Sequence, residues 1–227
     1  MKTIISLITM LGVAICNAGS HATLTDSVSV EAGIAYSNTS TSGGLAIRDD
    51  SISASVLLGS PLSGGLASVG IDLHRADGET EADVNIAWGA PFTLFNVTLD
   101  TEVYFQKIDS SYGGWEEVGV GAVYGFDWVE VGATLWHELG SNAGYGVELT
   151  ASREFTTPIE GLTAGPFIAV NFADSYDAIE VGLAADYHLT EDAVVSAELS
   201  FNDNDADGTA YSLEKDWVVS AGLTYSF

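Results

Sequence analysis

Acidic side chains are the residues of this chain with the most evident chemistry. The sequence holds 32 Asp and Glu against 6 Lys and Arg, and its formal net charge is −26 at pH 7. This balance argues against nucleic acid and anionic lipid surfaces as partners. Many of the acids recur at alternate positions of segments whose other positions are apolar: Glu31, Asp72, Asp83, Asp100, Glu102, Glu117, Glu130, Glu148, Glu180, Asp186 and Glu198.

Small residues accompany these acids on the same side of each segment. Gly33, Gly70, Gly121 and Gly132 are examples. Carboxylates without basic partners need water or cations around them, and small neighbours leave room for both. The pattern therefore predicts a water-filled interior that is lined by these residues and attracts cations. A few larger groups on this side are expected to pack against neighbouring side chains, or to narrow this interior, the lumen, and stack on a sugar or nucleoside ring. They are Leu57, Tyr104, Trp136 and Phe167.

A calcium-loop spacing near the C-terminus is the second chemical pattern. Asp203 to Gly208, followed by Glu214, matches D-x-D-x-D-G-x5-E, in which alternate oxygen ligands wrap a hard cation and the glycine allows a sharp turn. The flanks alternate like strands rather than helices, so a plain acidic surface loop is the alternative. No other cofactor is expected. The candidate Ca²⁺ ligands are Asp203, Asp205, Asp207, the Thr209 carbonyl and Glu214.

Three histidines are candidates for catalysis. His74 and His137 end strand-like segments at one predicted end of the molecule, near Asp72 and Glu138, whereas His188 falls in a turn at the other end. The sequence contains no HExxH, GxSxG or His-x-Ser-Asn motif of the kinds that carry hydrolytic chemistry. We therefore expect no enzymatic activity.

Alternation with a period of two sets the predicted secondary structure. Apolar faces such as Val28, Val30, Ala32 and Ile34 alternate with the acidic and small positions, as half-buried strands do. After residue 22 no run of about 18 apolar residues suggests a membrane helix. The fold class is an all-β, antiparallel up-and-down transmembrane barrel of about 12 strands. The strands are predicted to start near Ser27, Ser51, Ala67, Ala82, Val97, Glu116, Val129, Tyr145, Leu162, Ala178, Val194 and Trp217.

The connections alternate in length and aromatic residues gather at segment ends. Ser37 to Asp50, RADGETE and Asn202 to Lys215 are long and polar, whereas SPLSGG and GAPFTLF are compact. A membrane barrel has such unequal ends and two aromatic girdles. A secreted soluble barrel or sandwich, with its apolar face inward, is the alternative that periodicity leaves open.

The N-terminal 22 residues are predicted to be a cleaved signal peptide. Lys2 precedes the apolar run Ile4 to Ile15, and small residues follow, as in secretory signals. Cleavage after Ala22 is favoured over cleavage after Ala18. Residues 23–227 then form a single barrel domain, and the one cysteine, Cys16, leaves with the signal.

The C-terminal segment WVVSAGLTYSF alternates without a break and stops on an aromatic residue. It resembles the closing strand of bacterial outer-membrane β-barrel proteins, and the whole mature chain is similar to small porin-like barrels, such as the TorF-like porins. The resemblance implies an outer-membrane location, contact with outer-membrane lipid, and a terminal strand read by the barrel-insertion machinery. The residues that carry this signal are Trp217, Val219, Ala221, Leu223, Tyr225 and Phe227.

Together these patterns predict a channel for passive diffusion of small hydrophilic solutes, with a preference for cations because of its acidic lumen. A closed barrel whose acids are merely solvated is one alternative. A structural or adhesive barrel that acts through its outer loops is another, and an outer-membrane enzyme is the least favoured.

Overall fold

The computed structural model describes residues 28–42, 45–76, 79–109, 114–139, 144–174, 176–204 and 216–227, and every regular element in these ranges is a β-strand. The strands are β1 (Ser29–Ser42), β2 (Leu45–Leu62), β3 (Gly65–Ala76), β4 (Glu79–Leu94), β5 (Val97–Asp109), β6 (Trp115–Gly125), β7 (Glu130–Leu139), β8 (Tyr145–Ser152), β9 (Phe155–Thr156), β10 (Leu162–Ala173), β11 (Tyr176–His188), β12 (Ala193–Asn204) and β13 (Asp216–Ser226).

The strands close into one antiparallel barrel. Neighbours in sequence pair with each other, and β13 pairs with β1 to complete the circle. The short β9 pairs with the start of β10 while β8 pairs with its remainder. The segments β8 and β9 therefore occupy one strand position of the barrel. The closed, all-β barrel of 12 strands confirms the predicted fold class.

Proline explains the interruption between β8 and β9. Pro166 lies in β10 opposite this gap, and proline has no N–H to donate to a neighbouring strand. The Arg153 N–H instead donates to the Pro166 carbonyl over 3.1 Å. A Cβ on Gly165 would overlap the Arg153 carbonyl, so the interrupted backbone packs where glycine leaves space.

The seam between the first and last strands is reinforced by a side chain. The register runs from Glu31 opposite Ser226 to Ser37 opposite Ser220. Beyond it, the Asn38 amide donates to the Trp217 carbonyl over 2.9 Å, and its oxygen accepts from the Val219 N–H over 2.6 Å. Asn38 therefore extends the ladder past its last backbone pair.

Several predicted connections are shorter in the structure than expected, since Ser60 to Leu62 of SPLSGG and Arg75, Ala76 and Glu79 to Glu81 of RADGETE also belong to strands. Ser37 to Asp50 is largely strand, because polar Ser, Thr and Asp residues continue the β1–β2 ladder to Ser42 opposite Leu45, with a register shift between Ser40 and Thr41. Most of GAPFTLF is also strand, and only Phe95 and Asn96 form the turn. Both turn residues have positive φ, 50° and 67°, which suits the twist of a two-residue hairpin.

Apolar side chains cover the outside of the barrel. Ile34, Ile52, Leu73 and Leu183 are each about half or more exposed. The terminal residues Trp217, Val219, Ala221, Leu223, Tyr225 and Phe227 share this outward face, whereas most buried residues are polar. This inverted distribution contradicts the soluble alternative with an apolar interior. No helix among the described ranges is long and apolar enough to cross a membrane.

Candidate channel lining

The predicted acidic residues all occupy the inward side of the strand alternation. Asp72, Asp83, Glu117, Glu148, Glu180 and Glu198 are buried. Glu31, Glu102, Glu130 and Asp186 are intermediate in burial, and Asp100 is exposed. Their attraction of cations stays a prediction.

The most deeply buried inward side chains lie at one level of the barrel, which we call the polar belt. The belt lies toward the end of the barrel where β1 meets β2 and β3 meets β4, since its residues sit late in β5 and early in β6. Strands on every side of the lumen contribute to it. Its members are Ser37, Ser51, Ser53, Asp72, His74, Glu81, Asp83, Gln106, Glu117, Trp136, Glu148, Asn171, Glu180, Ser200, Asn202 and Val218.

The half of the lumen nearer the short turns has a different lining, which we call the vestibule. Glycine and small polar residues dominate it, with carboxylates between them. Apart from its glutamates, its side chains are shorter than the Gln, Glu and Trp side chains of the belt. The vestibule residues are Ser29, Glu31, Gly33, Gly70, Asp100, Glu102, Gly121, Glu130, Gly132, Thr150, Asp186, Ser196 and Gly222.

Three carboxylate–amide pairs lie across neighbouring strands of the belt. The register places Gln106 opposite Glu117, Glu148 opposite Asn171, and Glu180 opposite Asn202. Directly opposite residues of an antiparallel pair have Cβ atoms about 5 Å apart. Each pair therefore presents a carboxylate beside a group that both donates and accepts hydrogen bonds.

Hydroxyl groups hold several of these carboxylates in place. The Tyr104 hydroxyl donates to Glu117 Oε1 over 2.6 Å. Ser200 lies within hydrogen-bonding distance of both Glu180 Oε1, at 2.6 Å, and Glu198 Oε1, at 3.0 Å. Bonds to a charged acceptor are stronger than neutral ones, so these contacts fix the carboxylates within the lumen.

A histidine lies among the acids on the β3–β4 side. Asp72 is directly opposite Asp83, and His74 is directly opposite Glu81. His74 Nε2 lies 3.3 Å from Asp83 Oδ2. A protonated His74 would offset part of the negative charge in this sector.

The lysine and arginine side chains that the structure describes do not face the lumen. Arg75 and Lys107 occupy outward positions of β3 and β5, and Arg153 lies at the strand interruption. Lys107 pairs on the outside with Glu116, at 3.4 Å. The described part of the lining thus has many carboxylates and no Lys or Arg counterion.

Three inward aromatic residues lie flat over glycines of the next strand. Tyr104 is opposite Gly119, Trp136 is opposite Gly146, and Phe167 is opposite Gly182. A Cβ at Gly119 or Gly146 would overlap the aromatic ring. The rings therefore pack against the barrel wall, which favours the packing role over a ring that projects across the lumen.

The three histidines do not form one site. His74 points inward, whereas His137 lies on the outward side, where its ring stacks on Tyr145 with centroids 4.2 Å apart. His188 ends β11 near the short turns. The barrel wall therefore separates the two histidines that the sequence placed at one end.

The proposed calcium ligands are mostly beyond what the structure describes. Asp203 lies in β12, whereas Asp205, Asp207, Thr209 and Glu214 lie outside the described residues, as do the signal peptide and its cleavage site. Within the described ranges no group of three or more His, Cys, Asp or Glu side chains is arranged to hold a metal ion.

Several lining residues were not singled out from the sequence. The parity rule that selected the acids also selects them, since each lies an even number of residues from an inward acid of the same strand or, for Asn171, from the inward Phe167. The three amides among them carried no charge signal. These residues are Glu81, Gln106, Glu138, Asn171 and Asn202.

Solved structures with a similar fold include bacterial porins and an outer membrane channel. The KdgM porin shows 12% identity and a TM-score of 0.56, covering 88% of this chain and 99% of that chain. The NanC porin shows 12% identity and a TM-score of 0.55, covering 88% and 99%. An outer membrane channel from Pseudomonas putida F1 shows 10% identity and a TM-score of 0.55, covering 92% and 98%.

The similarity is confined to the fold. No protein-family model matches the sequence, and no curated protein matches it either. The likeness to TorF-like porins stays a prediction. What the chain shares with the solved porins is a closed antiparallel barrel of porin type.

Proposed function

We propose that this protein is a channel of the bacterial outer membrane that lets small hydrophilic solutes diffuse passively. The support is the combination of a closed barrel, an apolar outer face and a polar lumen. In lipid, a closed barrel satisfies every backbone hydrogen bond between strands, and an apolar-out, polar-in alternation is the pattern of such proteins. The structurally similar proteins are porins and channels.

The channel prefers cations over anions. This part of the proposal depends on one observation: inward carboxylates on most strands, with no Lys or Arg among the described inward side chains. Carboxylates within a low-dielectric wall concentrate cations and repel anions. An ion that passes the belt lies at the level of several of them.

A comparison with KdgM sharpens the substrate class. That porin has been solved in complex with disordered oligogalacturonate, a polymer of acidic sugars. A lumen lined by carboxylates repels such a polyanion. We therefore assign neutral and cationic solutes, and not acidic oligosaccharides, to this channel.

Planar-bilayer recordings test the proposal. The mature protein, reconstituted in a potassium chloride gradient, is expected to conduct and to show a reversal potential that reports potassium preference. Chloride preference would contradict the acidic lumen as the selectivity element. Absence of conductance from correctly folded protein would favour the closed-barrel alternative.

The adhesive alternative acts through the outer connections, many of which lie outside the described residues. Deleting residues 205–215 separates the two functions. A channel keeps its conductance and cation preference after this deletion, whereas an adhesin loses attachment to its surface.

A further inference from the structure

We propose that the polar belt is a binding site for an amine-bearing, polyhydroxylated solute of the amino-sugar class. The inference rests on the proposed channel function and names the solute that the belt recognises. It starts from the three carboxylate–amide pairs: Gln106 with Glu117, Asn171 with Glu148, and Asn202 with Glu180.

The amides are the unusual members of these pairs. Gln106, Asn171 and Asn202 are each only 1% exposed. Both polar atoms of Gln106 and of Asn202, and the Asn171 oxygen, have no hydrogen-bond partner among the described residues. A buried amide without a partner costs about 1–3 kcal/mol. Three such amides at one level of the lumen indicate hydrogen-bonding groups that pair with a bound ligand.

The carboxylates supply the complementary part of the site. The Tyr104 hydroxyl donates a hydrogen bond to Glu117 Oε1, while Glu117 Oε2 has no partner among the residues the structure describes. An ammonium group donates up to three hydrogen bonds and accepts none, so Glu117 suits it. The neighbouring Gln106 amide can accept from one hydroxyl and donate to another, as adjacent sugar hydroxyls require.

The charge of the carboxylates and the repeated carboxylate–amide pairs restrict the class of ligand further. A bare metal cation would use the carboxylates but leave the amide N–H groups unpaired, and a uronic acid would be repelled by Glu117, Glu148 and Glu180. A neutral sugar would pair with the amides but not gain from the charge. An amino sugar satisfies both.

The test measures block of the potassium current by glucosamine, N-acetylglucosamine, glucuronate and tetraethylammonium, a cation without hydroxyl groups. Glucosamine is expected to block at a concentration at least tenfold lower than each of the other three. Equal block by glucosamine and tetraethylammonium would overturn the proposal while leaving the cation channel intact.

Two variants isolate the amides. Gln106→Leu with Asn202→Leu keeps every carboxylate and similar side-chain sizes, so the reversal potential should stay unchanged while the advantage of glucosamine over tetraethylammonium disappears. Thr150→Val, in the vestibule, is the matched control and should retain that advantage. If the double variant discriminates as wild type does, the amides do not form the site.

Discussion

The belt and the vestibule are two halves of one lumen that both carry carboxylates, six in the belt and five in the vestibule, but among different neighbours. In the vestibule, carboxylates such as Glu31 and Glu130 stand among glycines and small residues. In the belt, Glu117, Glu148 and Glu180 are buried beside amides and hydroxyls. Because surrounding water screens an exposed charge far more than a buried one, equal numbers of acids are expected to have unequal effects. Selectivity should depend on the belt, and capture of ions on both.

Replacing three carboxylates of the belt or three of the vestibule should give the largest difference between the two halves. The belt triple E117Q/E148Q/E180Q should lower the potassium-to-chloride permeability ratio by about tenfold or more, which corresponds to about 1.4 kcal/mol. The vestibule triple E31Q/E102Q/E130Q removes the same formal charge and should change the ratio by less than about threefold. Reversal potentials in a salt gradient measure both. Equal effects would show that only the total charge matters.

Salt concentration should separate the two halves in the wild-type protein. The Debye length falls from about 10 Å at 0.1 M salt to about 3 Å at 1 M, so the vestibule contribution is screened first. Cation preference should therefore weaken at 1 M but persist, and it should be lost at 1 M in the belt triple. Reversal potentials at both concentrations check this. Complete loss in wild type at 1 M would contradict a selective belt.

Glycine substitutions next to the belt and in the vestibule test how tightly the side chains pack in the two places. Gly119→Ala places a methyl group into the Tyr104 ring, and such overpacking costs about 1–3 kcal/mol of the free energy of unfolding. Gly70→Ala, whose Cβ would lie 3.5 Å from Leu57, should cost less than about 1 kcal/mol. Urea unfolding of the reconstituted barrels measures the difference. A Gly119→Ala variant as stable as Gly70→Ala would show that the Tyr104 ring is free to move.

The smallest contrast concerns side-chain hydrogen bonds between neighbouring strands. Asn38→Ala removes two bonds that tie β1 to β13 and should cost about 1–2 kcal/mol. Thr98→Ala removes one exposed bond to Thr93, 2.9 Å long, beside the Phe95–Asn96 turn, and should cost less than about 0.5 kcal/mol. Unfolding midpoints of the two variants provide the comparison. A larger loss for Thr98→Ala would mean that the seam does not depend on Asn38.

Prediction from the sequence succeeded where alternation is strong. The segments beginning near Val97, Tyr145 and Leu162 start at those residues in the structure, because apolar and polar residues alternate there without a break. It failed at Ser37 to Asp50, where most residues are polar or glycine and a strand looks like a loop. It also missed Gln106, Asn171 and Asn202, because a neutral amide becomes notable only when its surroundings are known.

The sequence by itself determined which side of the wall each strand residue faces. A strand exposes alternate residues on opposite sides, so parity alone placed Glu117 inside and Val118 outside. Tertiary structure decided which inward residues meet. Register between strands comes from turn lengths, the register shift between Ser40 and Thr41 and closure of β13 on β1, and a shift of one residue would move every side chain to the other face. Pairing of Gln106 with Glu117, and of Tyr104 with Gly119, exists only in that register.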